Sequence, residues 1–287
     1  IQMFIKNILT DKSHPLIVRA PTDSGKSLVF YACSAILKVF GNLSGTSTFV
    51  TFPTKALNAT QFNEMVQFLY FLNLDGIDIS IGYFTGNRGG EKDPHITVDA
   101  KDVSDGDPLL LFRKCPACGG HEIIASKKND FRVIPKCKSC SVEFEFAFVT
   151  THEVYNYCPS IVVATPDKIS WTLTCEPYQH AIFGAVSKKC PKCKLYQHLM
   201  GKLQAQSSSD CRNCQTPMDD STKTQSHPSL LVFDEIQTLS GTSGNMFGQY
   251  ISLLKVTNQK YGITKPIQFL GATATIANHE ELVQNLT

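Results

Sequence analysis

The stretch Leu16-Ile17-Val18-Arg19-Ala20-Pro21-Thr22-Asp23-Ser24-Gly25-Lys26-Ser27 decides the fold. Its first five residues form a short apolar run of strand type. A Gly-Lys-Ser turn follows, and residues 28–40 continue as an apolar helix. Strand, tight loop and helix in that order build a phosphate cradle, in which backbone N–H groups and the helix N-terminus face an anion. Thr22, Ser24 and Gly25 would line the loop, Lys26 would neutralise the β- and γ-phosphates, and Ser27 would hold Mg²⁺. The strict loop pattern wants Gly where Ala20 stands, so the stretch needs support from elsewhere in the chain.

Two later stretches supply it. Ser229-Leu230-Leu231-Val232-Phe233-Asp234-Glu235 reads as a buried strand ending in two acids, and Ile267-Gln268-Phe269-Leu270 reads as another strand, followed by Gly271-Ala272-Thr273. In a parallel sheet such residues emerge at the carboxyl edge, where α/β proteins bind ligands. Asp234 would reach the Mg²⁺ through water, and Glu235 would polarise the attacking water as general base. The expected fold class is α/β, a mostly parallel sheet with helices on both faces and two small insertions.

The arrangement of motifs resembles the superfamily 2 helicases of DExD/H type. Residues 20–27 look like motif I, for which Ala20 is normal and Asp23 replaces the usual Gly. Residues 52–61, Phe-Pro-Thr-Lys-Ala-Leu-Asn-Ala-Thr-Gln, look like motif Ia. Tyr83-Phe84-Thr85-Gly86 resembles the Thr-Gly signature, and residues 163–169 look like motif Ib with its Thr165-Pro166-Asp167 core. Asp234-Glu235-Ile236-Gln237 takes the place of the DExD/H box, and Gly271-Ala272-Thr273 takes that of Ser-Ala-Thr. The resemblance implies that Thr54, Lys55, Thr85, Gly86, Thr165 and Pro166 lie along a nucleic-acid strand. There they would touch phosphates, which sets register without reading sequence. It further implies that Gln2 reads adenine, that Gln237 senses the γ-phosphate and that Thr273 links hydrolysis to movement. Gly271 lacks the serine hydroxyl of the usual motif III.

Eight of the eleven cysteines fall into four Cys-x-x-Cys pairs. Cys115 and Cys118 pair naturally with Cys137 and Cys140, and Cys190 and Cys193 with Cys211 and Cys214. Both spacings match closed structural zinc sites, in which four thiolates leave no open position. Iron–sulfur clusters and redox disulfides are the competing readings. Paired cysteines beside ATPase motifs point to a reducing cytoplasm, and Cys33 on the apolar helix reads as core. His152, His180, His198 and His227 lie near the modules but are not needed as ligands.

The expected organisation is a motor segment at 1–87 (motifs I and Ia), a zinc-binding insertion at 88–158, a motor segment at 159–175 (motif Ib), a second insertion at 176–228 and a final motor segment at 229–287 (motifs II and III). Residues 143–148, Glu-Phe-Glu-Phe-Ala-Phe, alternate with period two and predict a half-buried strand. Residues 204–209 read as a loop. Arg113, Lys114, Lys136 and Lys138 surround the first module, and Lys188, Lys189, Lys192 and Lys194 the second. They would either balance the charge of the metal sites or extend a nucleic-acid track, because both insertions are expected to leave the face carrying motifs Ia and Ib.

Bulk charge does not decide that question. The formal net charge is +2, and two zinc ions on eight thiolates would bring it to about −2. No apolar run approaches the roughly 20 residues of a membrane helix, so no membrane partner is expected. The chain opens at Ile1, and we expect a segment of a longer protein whose second RecA-like domain lies elsewhere. The functional expectation is the ATP-binding first motor domain of an ATP-dependent helicase or translocase, on DNA more than RNA, with ATP, Mg²⁺ and two structural Zn²⁺ as cofactors. Its rival is a non-unwinding nucleic-acid binder with an ATP switch and recognition by the zinc modules.

Overall fold

A computed structural model describes residues 16–19, 25–41, 45–85, 100–169, 186–198, 210–218, 228–236 and 267–273, with scattered positions between 248 and 259. Seven strands form one sheet: β1 (Leu16–Arg19), β2 (Thr48–Thr51), β3 (Ile81–Phe84), β6 (Ala147–Phe148), β7 (Ile161–Ala164), β10 (Leu230–Phe233) and β11 (Gln268–Thr273). Their spatial order is β1-β11-β10-β2-β7-β3-β6, and every neighbouring pair is parallel. Two antiparallel hairpins stand outside it, β4 (Ile123–Asn129) with β5 (Arg132–Cys137), and β8 (Val186–Lys189) with β9 (Tyr196–His198).

Strands β2, β3, β7 and β10 are buried along their whole length, which explains why they read as continuous apolar runs rather than alternating ones. Helices cover both faces. On one face Val18, Val50, Ile81, Val163, Val232 and Leu270 share a core with α1 (Lys26–Phe40) and α2 (Lys55–Leu74). On the other lies α3 (Thr151–Tyr157), where Tyr155 packs edge-on against Phe84. Gly82 makes the close approach possible. A Cβ there would stand 2.6 Å from the Pro159 side chain and 2.8 Å from that of Val154.

The strand expected at 143–148 is broken. Glu143 makes a single bridge to Lys136, the Ala147 N–H closes a turn onto the Phe144 carbonyl, and only Ala147 and Phe148 join the sheet. The cause is Phe144, which is fully buried against Phe112 and Tyr70 and bends the chain inward. The loop expected at 204–209 lies outside the described residues.

Candidate ATP edge and cysteine modules

The carboxyl edge of the sheet divides into two halves. Strands β1, β11 and β10 are adjacent although β10 and β11 come some 200 residues after β1. The phosphate-loop helix and the acid pair therefore meet across β11. Gly25 caps α1 in a left-handed conformation (φ 82°) that favours glycine, and no side chain caps the helix. In the first turn the Leu28 N–H donates to the Gly25 carbonyl at 3.1 Å, and those of Lys26 and Ser27 stand where a helix N-terminus binds an anion. The Lys26 ammonium is 3.9 Å from Glu235 Oε1, with both side chains largely buried.

Asp234 Oδ1 is buried without a hydrogen-bond partner. Burial, then the neighbouring Glu235 carboxylate, raises the Asp234 pKa, while the Glu235 N–H and Lys26 work the other way. A carboxylate held in that state is suited to a cation, so Ser27 and Asp234 fit the hard oxygen donors that Mg²⁺ takes. Glu235 sits at φ 52°, an uncommon angle for a non-glycine residue, and such local strain clusters at functional sites. Thr273 is buried at the end of β11 in register with Arg19. The strand thus runs through Gly271-Ala272-Thr273 rather than stopping before it. Gly271 has a packing reason: a Cβ there would meet Ile236 Cδ1 at 2.8 Å. The isoleucine beside the acid pair thus packs directly on the glycine opposite. Gln2, Thr22, Ser24 and Gln237 lie outside the described residues.

The other half of the edge is formed by β2, β7 and β3. Each strand runs into a threonine, or nearly so: Thr54 three residues beyond β2, Thr165 after β7 and Thr85 after β3. Thr85 and Thr165 are buried, with hydroxyls lacking a hydrogen-bond partner. Thr54 caps α2, accepting from the Leu57 N–H at 3.2 Å. Lys55 and Pro166 follow these threonines, and Lys168 lies 4.9 Å over the Phe84 ring. Gly86 is outside the described residues. Among the described residues, the expected ATP residues and the expected strand-contacting residues therefore occupy separate halves of one edge.

The cysteines form two four-sulfur groups with the expected membership. In each the sulfurs all lie within 4.8 Å of one another. Cys115–Cys140 and Cys118–Cys137 are 3.6 Å apart, while Cys190–Cys214 and Cys193–Cys211 are 3.4 Å apart. None is disulfide-bonded. Four thiolates at roughly 2.3 Å from one ion sit about 3.8 Å apart at the corners of a tetrahedron. The donor set thus fits a single ion of thiolate preference. An iron–sulfur cluster would divide the four thiolates among two or four irons and spread the sulfurs wider.

All four knuckles share one turn. The N–H of each first cysteine donates to the carbonyl five residues on, at 2.7–2.9 Å: Cys115 to Gly120, Cys137 to Val142, Cys190 to Leu195 and Cys211 to Thr216. The residue after each second cysteine is left-handed: Gly119, Ser141, Lys194 and Gln215. Only Gly119 announces that angle in the sequence.

The sequence reading missed what anchors these modules. The Arg132 guanidinium, on β5, lies 2.7 Å from Glu153 on α3, and both side chains are buried. Glu153 also accepts the Val133, Val149 and Thr150 N–H groups. Arg132 donates to the Val133, Ala147 and Glu145 carbonyls and stacks 4.0 Å over Phe148. The Thr150-x-x-Glu153 pattern is a capping box that could have located α3; nothing local marks Arg132 as its partner.

Several of the basic residues beside the sulfurs have partners on the chain itself. In the first module Arg113 binds the Thr60 hydroxyl at 2.8 Å, Lys136 lies 3.8 Å from Glu143 and Lys138 lies 3.0 Å from Glu122. In the second, Lys189 packs 5.0 Å over Tyr196. Burial, then the charge of Lys194, lowers the Lys189 pKa, with Asp78 opposing. Tyr196 also packs on Cys158. Asp78 and Cys158 precede β3 and β7, so this face of the second module lies at the end of the sheet opposite the threonines.

Residues 2–97 match the DEAD/DEAH box helicase family. The chain is 26% identical over 187 residues to the DISARM protein DrmA of Bacillus paralicheniformis, covering 60% of this chain and 16% of that protein. The fold is shared with the DUF1998 helicase MrfA bound to DNA, with a TM-score of 0.53 and 18% identity, over 100% of this chain and 24% of MrfA. It is shared equally with Mss116p bound to ssRNA and AMP-PNP, with a TM-score of 0.54 and 15% identity, over 99% of this chain and 36% of that one. The chain thus spans only a minor part of each of these proteins. Among the described residues no helix is long and apolar enough to cross a membrane. With the phosphate-loop helix and the acid pair meeting across β11, the chain has the RecA-like fold of these helicases, matches their family over residues 2–97 and carries two four-cysteine clusters.

Proposed function

We propose that this domain binds ATP with Mg²⁺ and hydrolyses it to drive movement along nucleic acid, DNA in preference to RNA. The observation that carries the reading is the meeting of Lys26 with Asp234 and Glu235 across β11, with a 3.9 Å ion pair and a buried carboxylate oxygen lacking a partner. Lys26 would hold the β- and γ-phosphates, and Ser27 and Asp234 the magnesium ion. Magnesium supplies charge neutralisation of the phosphates. Glu235 would take the proton of the attacking water. Thr54, Lys55, Thr85, Gly86, Thr165 and Pro166 would meet the strand's phosphates on the other half of the edge, as Gln2, Gln237 and Thr273 serve the nucleotide.

Both sulfur tetrads would hold structural Zn²⁺, and a cytoplasmic setting agrees with free thiolates. We retain the division into motor segments at 1–87, 159–175 and 229–287 with insertions at 88–158 and 176–228. A second RecA-like domain would supply the arginine that stabilises the transition state, a contribution of roughly 10³–10⁵ in rate in related systems. The DNA preference draws on the DNA-bound MrfA, and the ssRNA-bound Mss116p makes RNA the comparison arm. The test is ATP turnover with and without single-stranded DNA or RNA, set against Glu235→Gln. Turnover stimulated by DNA and abolished by the substitution is expected; turnover unaffected by either would overturn the motor reading.

A further inference from the structure

The basic residues beside the sulfurs of the first module divide by what faces them. Lys136 and Lys138 lie against the carboxylates of Glu143 and Glu122. Arg113 and Lys114 are both exposed, and among the described residues neither has a carboxylate within ion-pair distance. Arg113 is nonetheless held in place, and helix α2 holds it. Its N–H donates to Asn63 Oδ1 at 2.8 Å, and Asn63 Nδ2 donates to the Leu111 carbonyl at 2.6 Å. One buried asparagine thus seats the chain just ahead of the first knuckle. The Arg113 guanidinium donates through Nη2 to the Thr60 hydroxyl at 2.8 Å, and that hydroxyl donates to the Ala56 carbonyl one turn back. Ala56, Thr60 and Asn63 share one face of α2, the spacing of side chains that stand above one another on a helix.

That face begins beside Thr54 and Lys55, the residues expected to meet a strand's phosphates. Thr60 follows Thr54 by six residues, about 9 Å of helix rise. The threonine-bearing strands run in the order β2, β7, β3, and the next strand outward is β6, which the first module's chain contributes. An arginine offers five N–H donors in a planar fork suited to phosphate, and among the described residues one of them has an acceptor. We propose that Arg113 and Lys114 bind backbone phosphates of a nucleic-acid strand where it leaves the threonine edge, so that the first cysteine module lengthens the strand's path. The inference rests on the strand-contacting role proposed above for Thr54 and Lys55, and it adds to that role two residues outside the motifs. The knuckle then does more than hold its own turn: with Asn63 it fixes the two cations that precede Cys115.

The test is equilibrium binding of a labelled oligothymidylate to the chain over a salt series, by fluorescence anisotropy. Each phosphate contact on a single strand adds about 0.7 to the slope of log affinity against log salt. Arg113→Gln should therefore flatten the slope by about 0.7, and Arg113→Gln with Lys114→Gln by about 1.4. Arg113→Lys keeps the charge and should hold the slope near that of the parent. Lys138→Gln makes the same change of charge on the same module, beside Glu122, and should leave the slope unaltered. The contact is to phosphate, so oligouridylate should show the same differences. If Arg113→Gln fails to fold by circular dichroism, Lys114→Gln alone carries the test, with a slope flattened by about 0.7. A parent slope in both glutamine variants, or an equal loss in Lys138→Gln, would overturn the extension. Failure of the underlying reading looks different: the parent would bind no oligonucleotide, or Lys55→Gln would keep the full slope, and both proposals would fall. If Lys55→Gln flattens the slope and Arg113→Gln does not, the extension falls alone.

Discussion

The two cysteine modules have the same knuckles and opposite relations to the parallel sheet. In the first, Cys115 and Cys137 belong to the same buried core as β2, β7 and α2, with Phe112 and Phe144 stacked between them and the helix. Its chain then adds β6 to the edge of the sheet. In the second, Cys190, Leu195, Cys211 and Met218 form a small core of their own, which rests on Phe131 and Tyr157. Phe131 belongs to the turn of the first module's hairpin, between β4 and β5. One module is built into the core of the sheet, and the other is docked onto the first. A metal site of identical local chemistry can therefore contribute to different cooperative units, according to what its sulfurs are packed against.

The largest expected effect separates the two modules directly. Cys137→Ser should lower metal content from two ions to one and destabilise the whole domain, because binding free energy at such a site is folding free energy. Cys211→Ser should cause the same loss of metal and leave the sheet and nucleotide binding intact. Elemental analysis with thermal unfolding of both variants checks this. A matching fall in melting temperature would erase the distinction between a built-in and a docked module.

Next comes the anchor of the first module. Arg132→Ala leaves the Glu153 carboxylate buried without its charge partner, and breaking a buried pair from one side costs about 3–5 kcal/mol. The denaturation midpoint should fall accordingly, with β6 and α3 released first. Hydrogen exchange at Ala147 and Phe148 reads that release. Unchanged protection there would mean that the hairpin and the sheet hold without the pair.

How much of this could be read from the sequence follows the range of each interaction. Residues 16–27, the Asp234-Glu235 pair and the Cys-x-x-Cys pairs are local patterns, and the sheet and both tetrads formed where these predicted them. What escaped is carried by single residues meeting across long separations. Tyr31 meets Gln61 through a hydroxyl in an apolar helix, and Arg132 meets Glu153 across a turn and a strand. Gly271 read as a missing hydroxyl, whereas its cause is the Ile236 side chain packed on it. The period-two run at 143–148 misled because its buried Phe144 serves a corner rather than a strand. The basic clusters left two roles open for a related reason: composition shows that lysines are near cysteines but not which way they point, and Lys189 lies over Tyr196.

The smallest expected effect tests how the second module is attached. The Arg212 guanidinium lies 4.9 Å over Phe131 and its Nη2 donates to Asn156, so one side chain beside a sulfur knuckle grips both the hairpin tip and α3. Burial lowers its pKa, with the Cys211 and Tyr157 charges opposing, and the group remains cationic because guanidinium does not deprotonate in proteins. A cation over a ring at a partly exposed position contributes about 0.5–1 kcal/mol. Arg212→Ala should therefore leave global stability almost unchanged but raise the rate at which a chelator extracts one of the two metals, by roughly two- to fivefold. Arg212→Lys keeps the charge and loses the planar stack, so it should fall between the parent and the alanine variant. If extraction of both metals accelerates together, the second module is not an independent unit, and the docked description gives way to one fused layer along the sheet edge.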